Sequence, residues 1–339
     1  LFLLSSLGTL CALKVMTFNV WQHGGRVWKG VEKIAQQIKN VNPDVVTLQE
    51  SGTENIYVQL IGLLGKEWSG MVDCTGGNGV VTKHQILEYF DHVGFGMNVR
   101  ILLKDSGQEI SVWSMHLQYF HYGPDFTVKG ASLDQILKGD FETASYRGRI
   151  HNIVELLRNP QFVQQIKNSA NTPVIVAGDF NVPSHLDWIE STKSKHNDWV
   201  IEWPVTKLLS SAAGMTDSYR EVHPDPLEKP GLTWTVYKDY GGKPVEIKDR
   251  IDYIFYRGPL RATTSQTYFG EDIIIDDGTN EWWNNTWPSD HWAVVTEFEH
   301  LPILGNNVHQ TASNGLHIEP EYLKGTFEEI AKCTYKIIR

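Results

Sequence analysis

The chain predicts an α/β protein: a four-layer α/β/β/α sandwich, with two mixed sheets packed face to face and helices outside. Three observations carry that expectation. Buried, strand-length runs such as Val15-Met16-Thr17-Phe18 and Val174-Ile175-Val176-Ala177 alternate with stretches of helical apolar period, the mark of βα units. Other strand-like runs follow one another across a short turn, as around Asp105-Ser106-Gly107, so hairpins interrupt the parallel order. The 339 residues are 41% hydrophobic and 21% charged, which supports a large core and excludes a disordered or fibrous chain.

Taken in order, strand 15–18 precedes a helix whose Val31, Ile34, Ala35, Ile38 and Val41 share one face. Pro43 closes that helix, and Asp44-Val45-Val46-Thr47-Leu48 reads as a second buried strand. A helix covers 55–64, and strands fall near 79–83, 97–104 and 110–117. Residues 147–157 return to helical period, with Pro160 ending the helix. A wholly apolar central strand follows at 173–178, and later strands fall at 232–236, 250–256, 261–269 and 291–298. The main unit therefore spans 13–300, and 301–339, of mixed polarity and no clear period, is an extension of unassigned role.

The first twelve residues, LFLLSSLGTLCA, look like the apolar core and cleavage site of a secretory signal, with Ala12 before the cut. The expected location is secreted or extracellular (periplasmic in a bacterium), and a buried first strand is the competing reading. Asn284-Asn285-Thr286 is a glycosylation sequon and fits secretion. Without the signal, Cys74 and Cys333 remain, and spacing leaves their pairing open. No later stretch approaches ~18 uninterrupted apolar residues, so no transmembrane span is expected. With 30 Lys+Arg against 40 Asp+Glu the net charge is -10, which disfavours a broad basic groove for nucleic acid but leaves room for local phosphate binding.

Chemistry concentrates at strand ends. Thr17-Phe18-Asn19-Val20, Leu48-Gln49-Glu50, Ser114-Met115-His116-Leu117, Gly178-Asp179-Phe180-Asn181, Lys248-Asp249-Arg250-Ile251-Asp252-Tyr253 and Ser289-Asp290-His291 each put polar residues beside an apolar run. Six such ends in one α/β chain point to a shared cleft. They supply carboxylates, amides and imidazoles but no thiolate, a donor set that suits Mg²⁺, Mn²⁺ or Ca²⁺. A divalent ion can hold a phosphate oxygen while a carboxylate–imidazole pair activates water.

The ordered set Asn19, Glu50, His116, Asp179-Phe180-Asn181, Asp252 and Ser289-Asp290-His291 resembles the endonuclease/exonuclease/phosphatase superfamily. That group includes deoxyribonuclease I, abasic-site endonucleases, inositol polyphosphate 5-phosphatases and secreted sphingomyelinases. The resemblance covers 13–300 and implies a metal-dependent hydrolase of phosphate esters. By it, Glu50 is the principal metal ligand, Asn19 organises that shell, and Asp290 and His291 complete the far side. Asp179 orients or deprotonates water, Asn181 bonds the phosphate, and His116 contacts it and helps protonate the leaving group. His291 serves as a general base or phosphate contact, oriented by Asp252 in one form of the motif or by Asp249 in another, with Asp252 preferred. Trp21 stands where abasic endonucleases carry an acidic residue, and no Trp-Cys precedes Asp249, so neither of those branches is indicated.

Substrate contacts are expected from Tyr119, His121 and Tyr122 in the loop of about thirty residues after His116, and from His185 after the Asp179 strand. Arg147 and Arg149 open a helix and read as a solvated face. Trp282, Trp283 and Trp287 precede the Ser-Asp-His motif, where they either rim the site or pack beneath a loop; adjacent Trp282-Trp283 is similar to the aromatic loop of secreted sphingomyelinases. The resulting expectation is a secreted, Mg²⁺-dependent phosphoesterase that favours diesters. Its rivals are a sphingomyelinase-type phospholipase C making peripheral membrane contact and a non-catalytic ligand-binding relative.

Overall fold

Alternate side chains of the first strand, β1 (Leu13–Asn19), enter different cores, and this sets the architecture. The computed structural model describes residues 12–302 apart from 76, 94, 129, 142–146, 237–238, 241–242, 245–247 and 271–280. Leu13 and Val15 join the apolar layer between two sheets. Met16 and Phe18 instead pack beneath α1 (Gly30–Val41) and α2 (Glu54–Leu64), through Ile34, Ile38, Leu60 and Leu64.

Each of the two large sheets has six strands and one parallel pair. The first runs β13 (Leu260–Tyr268), β14 (Ala293–His300), β1, β2 (Val45–Gln49), β4 (Asn78–Thr82), β3 (Ser69–Val72), with β1 and β2 parallel. The second runs β5 (Gln85–Val93), β6 (Gly96–Leu102), β7 (Glu109–His116), β8 (Val174–Asp179), β12 (Asp252–Arg257), β9 (Thr216–Asp217), with β7 and β8 parallel. Its outer face is covered by α5 (Arg149–Arg158), α6 (Pro160–Lys167) and α7 (Pro204–Ala213), whose Ile153, Phe162 and Leu209 meet Trp113 and Val176. Short helices α3 (Pro124–Val128), α4 (Leu133–Ile136) and α8 (Ser218–Val222) and the ribbon β10 (Asp239–Tyr240), β11 (Lys243–Pro244) are the remaining α and β elements among the described residues. Three apolar layers separating four structural ones make the expected α/β/β/α sandwich.

Several elements differ from the sequence expectation. Pro160 starts α6 rather than only ending α5: Asn159 caps it by accepting from the N–H groups of Gln161 and Phe162. Residues 232–236 form no strand; Trp234 makes isolated bridges to Asp249 and His291 instead. Strands β3, β5 and β9 and helix α7 are absent from the sequence expectation, although α7 does carry an apolar face of Val205, Leu209 and Ala213. No described helix is long and apolar enough to cross a membrane. Most of the signal-like segment, Cys333 and nearly all of 301–339 lie outside the described residues, while Cys74 is exposed.

Candidate active site

Register assembles the site. Pairing of β7 with β8 sets His116 beside Asp179, and pairing of β8 with β12 sets Asp252 on the other side of Asp179. Gly178 makes the first approach possible, since a Cβ there would lie 1.8 Å from the carbonyl oxygen of Met115. From the opposite sheet, the amide of Asn19 donates to Asp179 Oδ2 at 2.9 Å and to Glu50 Oε1 at 3.2 Å. Glu50 follows β2 with φ +53°, and Gln22 N–H donates to its Oε2 at 2.8 Å. Asn181, also at φ +53°, donates its N–H to Asp179 Oδ1 at 2.8 Å and its amide to the Leu117 carbonyl at 3.0 Å.

The second histidine arrives on the loop before β14. Ser289 Oγ donates to the Asn19 carbonyl at 2.6 Å and accepts from His291 N–H at 3.0 Å, which fastens the loop to β1. Trp287 packs beneath it against Phe18 and Tyr268, and its indole donates to the His291 carbonyl, so the packing reading of this residue holds. His291 Nδ1 lies 2.9 Å from Asp252 Oδ2, while its Nε2 faces Asp179 Oδ2 at 3.7 Å. His116 Nε2 lies 3.6 Å from that same oxygen. Asp249 accepts from Tyr122 Oη and Trp188 Nε1, at 2.7 and 2.8 Å, so Asp252 is the carboxylate that orients His291.

Burial and crowding of like charge shape the electrostatics. Burial alone would lower the His291 imidazole, but the carboxylates of Asp252, Asp179 and Asp290 outweigh it and hold its pKa well above the ordinary value. Burial pushes Asp290 up to about 6, and Glu50 and Asp179 add to the rise. Asp252 is raised by burial against the opposing pull of His291. One oxygen each of Asp290 and Asp252 is buried without a hydrogen-bond partner. Carboxylates that raise one another's pKa, with a lone pair unsatisfied, fit a hard divalent cation. Ligand atoms of Asp179, Asp252 and His291 lie within 4.8 Å of one another. One of those contacts is the Asp252–His291 hydrogen bond itself.

The expected substrate contacts divide. Tyr119 stands 61% exposed at a cleft bordered by His116. The His121 ring stacks on Phe126 and bonds the Gln135 carbonyl, Tyr122 is engaged by Asp249, and His185 Nδ1 bonds Thr206 Oγ1. Trp283 is exposed beside Trp28, with ring centroids 5.9 Å apart; Trp282 shares its turn, Glu281–Asn284, with its side chain outside the described residues. The solvated-face reading of Arg149 is corrected. It is fully buried, ion-paired with Asp140, and donates to the carbonyls of Gln118, Phe120 and His121. Sequence reasoning also missed Thr233, whose hydroxyl accepts from the N–H groups of Ile251 and Asp252. No local pattern marks either residue.

A sandwich with carboxylates, amides and two imidazoles at one end of its paired sheets defines a metal-dependent hydrolase of phosphoric ester bonds. The chain belongs to the Endonuclease/Exonuclease/phosphatase family, whose model matches residues 16–291. It is 35% identical over 303 residues to the uncharacterized protein F14F9.5 of Caenorhabditis elegans, covering 87% of this chain and 93% of that one. Among solved structures it is similar to the human Nocturnin catalytic domain with bound sulfate (17% identity, TM-score 0.51, 85% of this chain and 94% of that one). It is also similar to D. rerio TDP2 complexed with single-strand DNA product (18% identity, TM-score 0.51, 85% and 99%).

Proposed function

We propose that the protein is a secreted, Mg²⁺-dependent phosphodiesterase. The observation that carries this reading is Asp179 Oδ2, which meets the Asn19 amide and the imidazoles of His116 and His291 from three directions. Asp179 holds water for attack on phosphorus and takes its proton. His291, oriented by Asp252, and Asn181 bind phosphate oxygens as charge builds on them. The P–O bond to the alkoxide breaks opposite the new one, and His116 delivers a proton to the departing oxygen. Glu50, Asn19 and Asp290 would hold the divalent cation, which when bound draws charge from a phosphate oxygen. The DNA product in the D. rerio TDP2 structure supports a diester substrate. The signal-like first residues and an exposed Asn284 in the sequon support secretion.

Hydrolysis of bis(p-nitrophenyl) phosphate with Mg²⁺, its loss in EDTA, and its recovery on adding Mg²⁺ test the activity. Asp179→Ala and His291→Ala should each lower turnover by about two or more orders of magnitude while leaving the chain folded. Unchanged rates in both variants would overturn the mechanism. A second reading, a sphingomyelinase-type phospholipase C at membranes, draws on the exposed pair Trp28 and Trp283. It requires phosphocholine release from vesicles containing sphingomyelin.

A further inference from the structure

A cleft of about 750 Å³ borders His116, between Asp73, Thr75, Gly77 and Asn78 on one side and the chain after β7 on the other. Three rings stand in water along it: Phe95 at the turn of the β5–β6 hairpin, and Tyr119 and Phe120, which are 37%, 61% and 46% exposed. The last two pack against each other, with ring centroids 4.2 Å apart and planes tilted by 38°, and so present one stepped aromatic surface. Exposed rings gathered beside a reacting centre mark a binding face, because folding gains nothing by leaving them wet.

That surface is rigidly mounted. Arg149 sends one N–H to Asp140 and three more bonds to the carbonyls of Gln118, Phe120 and His121, all at 3.0 Å, so a buried guanidinium grips the backbone carrying both rings. Room for it depends on Gly139, where a Cβ would lie 2.4 Å from an Arg149 nitrogen. Pre-set aromatics lose little freedom on stacking, which suits a platform for a flat ligand. Gln118 and the Arg147–Glu155 pair line the same cleft and offer polar contacts to a sugar beside a stacked base, while Asn78 is buried and bonded to the Phe95 carbonyl. Arg147 is already paired with Glu155, and the chain carries a net charge of -10, so a small ester fits better than a long polyanion.

We propose that this cleft is a subsite for a planar aromatic group of the nucleobase kind, carried by the ester substituent on the His116 side of the phosphate. The inference rests on the phosphodiesterase reading. Stacking one base on such a surface is worth roughly tenfold to a hundredfold in affinity.

The test compares kcat/KM for methyl adenosine-5′-phosphate with that for the methyl ester of 1,4-anhydroribitol 5-phosphate, which has the same diester and ring hydroxyls and no base. The expected ratio is about tenfold or more in favour of the adenosine ester. Tyr119→Ala and Phe120→Ala should reduce it to within about threefold of unity, whereas Tyr119→Phe should retain it. Both side chains are exposed, so these variants should fold. If the full chain hydrolyses both esters equally, the subsite is refuted and the diesterase reading stands. A high ratio that neither alanine variant moves also refutes the assignment to this cleft. If neither ester nor bis(p-nitrophenyl) phosphate is cleaved, both readings fail.

Discussion

Replacing Asp252 with Asn separates orientation of His291 from the rest of the chemistry. Asp252 is fully buried and His291 is 4% exposed, so water cannot stand in for the 2.9 Å bond between them. Asn keeps the shape of the side chain and can retain its backbone bonds at Thr233, so the fold should persist. What disappears is the negative charge facing Nδ1. A hydrogen bond to a charged group contributes about 1.5–3 kcal/mol, so its loss in the transition state lowers kcat by about ten- to a hundredfold. The imidazole pKa, held up mainly by this carboxylate against burial, should fall, and any high-pH limit on activity should move to lower pH. The assay is kcat for bis(p-nitrophenyl) phosphate with saturating Mg²⁺ across the pH range, with thermal unfolding as the control on folding. A folded Asp252→Asn protein that retains kcat within about threefold would refute the orienting role. Asp249→Asn is the matched comparison, and its kcat should change far less, because Asp249 bonds Tyr122 and Trp188 instead.

Two further outcomes follow from buried carboxyls away from the reacting atoms. Burial pushes Asp249 up to about 7 in the folded chain from its ordinary 3.8, so the unfolded chain ionises first and this group's contribution to stability falls as pH rises from about 4 to 7. Asp249→Asn should flatten that fall, visible as a difference in Tm between variant and parent that grows from pH 5 to pH 8; a constant difference would refute it. Arg149→Met leaves the fully buried Asp140 without its partner and should destabilise by about 3–5 kcal/mol in urea unfolding. Adding Asp140→Leu should recover part of that loss, and no recovery would refute the buried-charge account.

The central strands were legible because burial on both faces demands nearly continuous apolar runs, as in Val174-Ile175-Val176-Ala177. The polar residues that end those runs were legible for the same reason, since Asn19, Glu50, His116 and Asp179 interrupt an otherwise apolar pattern. Edge strand β5 was not, because its Tyr89 and Phe90 face water and break the alternation. The choice between Asp249 and Asp252 lay beyond any local signal. Both belong to overlapping forms of one motif, and only the β8–β12 register puts Asp252 opposite Asp179. Arg149 was misread because its partners are carbonyls about thirty residues away, and a carbonyl has no residue type to recognise. Pro160 has two positional meanings, helix stop and first-turn starter, and the Asn159 cap decides between them.

The Asn19 amide joins Asp179 across 160 positions of chain, and β14, which follows His291, lies between β1 and β13. During synthesis, β1 emerges early but must wait for β14 to become its neighbour in the sheet. The catalytic ensemble thus closes only after the chain has returned to its own beginning. A ribosome-bound or partly folded chain holds Glu50, His116 and Asp179 yet lacks the loop that Ser289 ties to β1. Appearance of hydrolysis during refolding would therefore mark the docking of the last strand rather than the first collapse, giving this sandwich a built-in clock for its own completion.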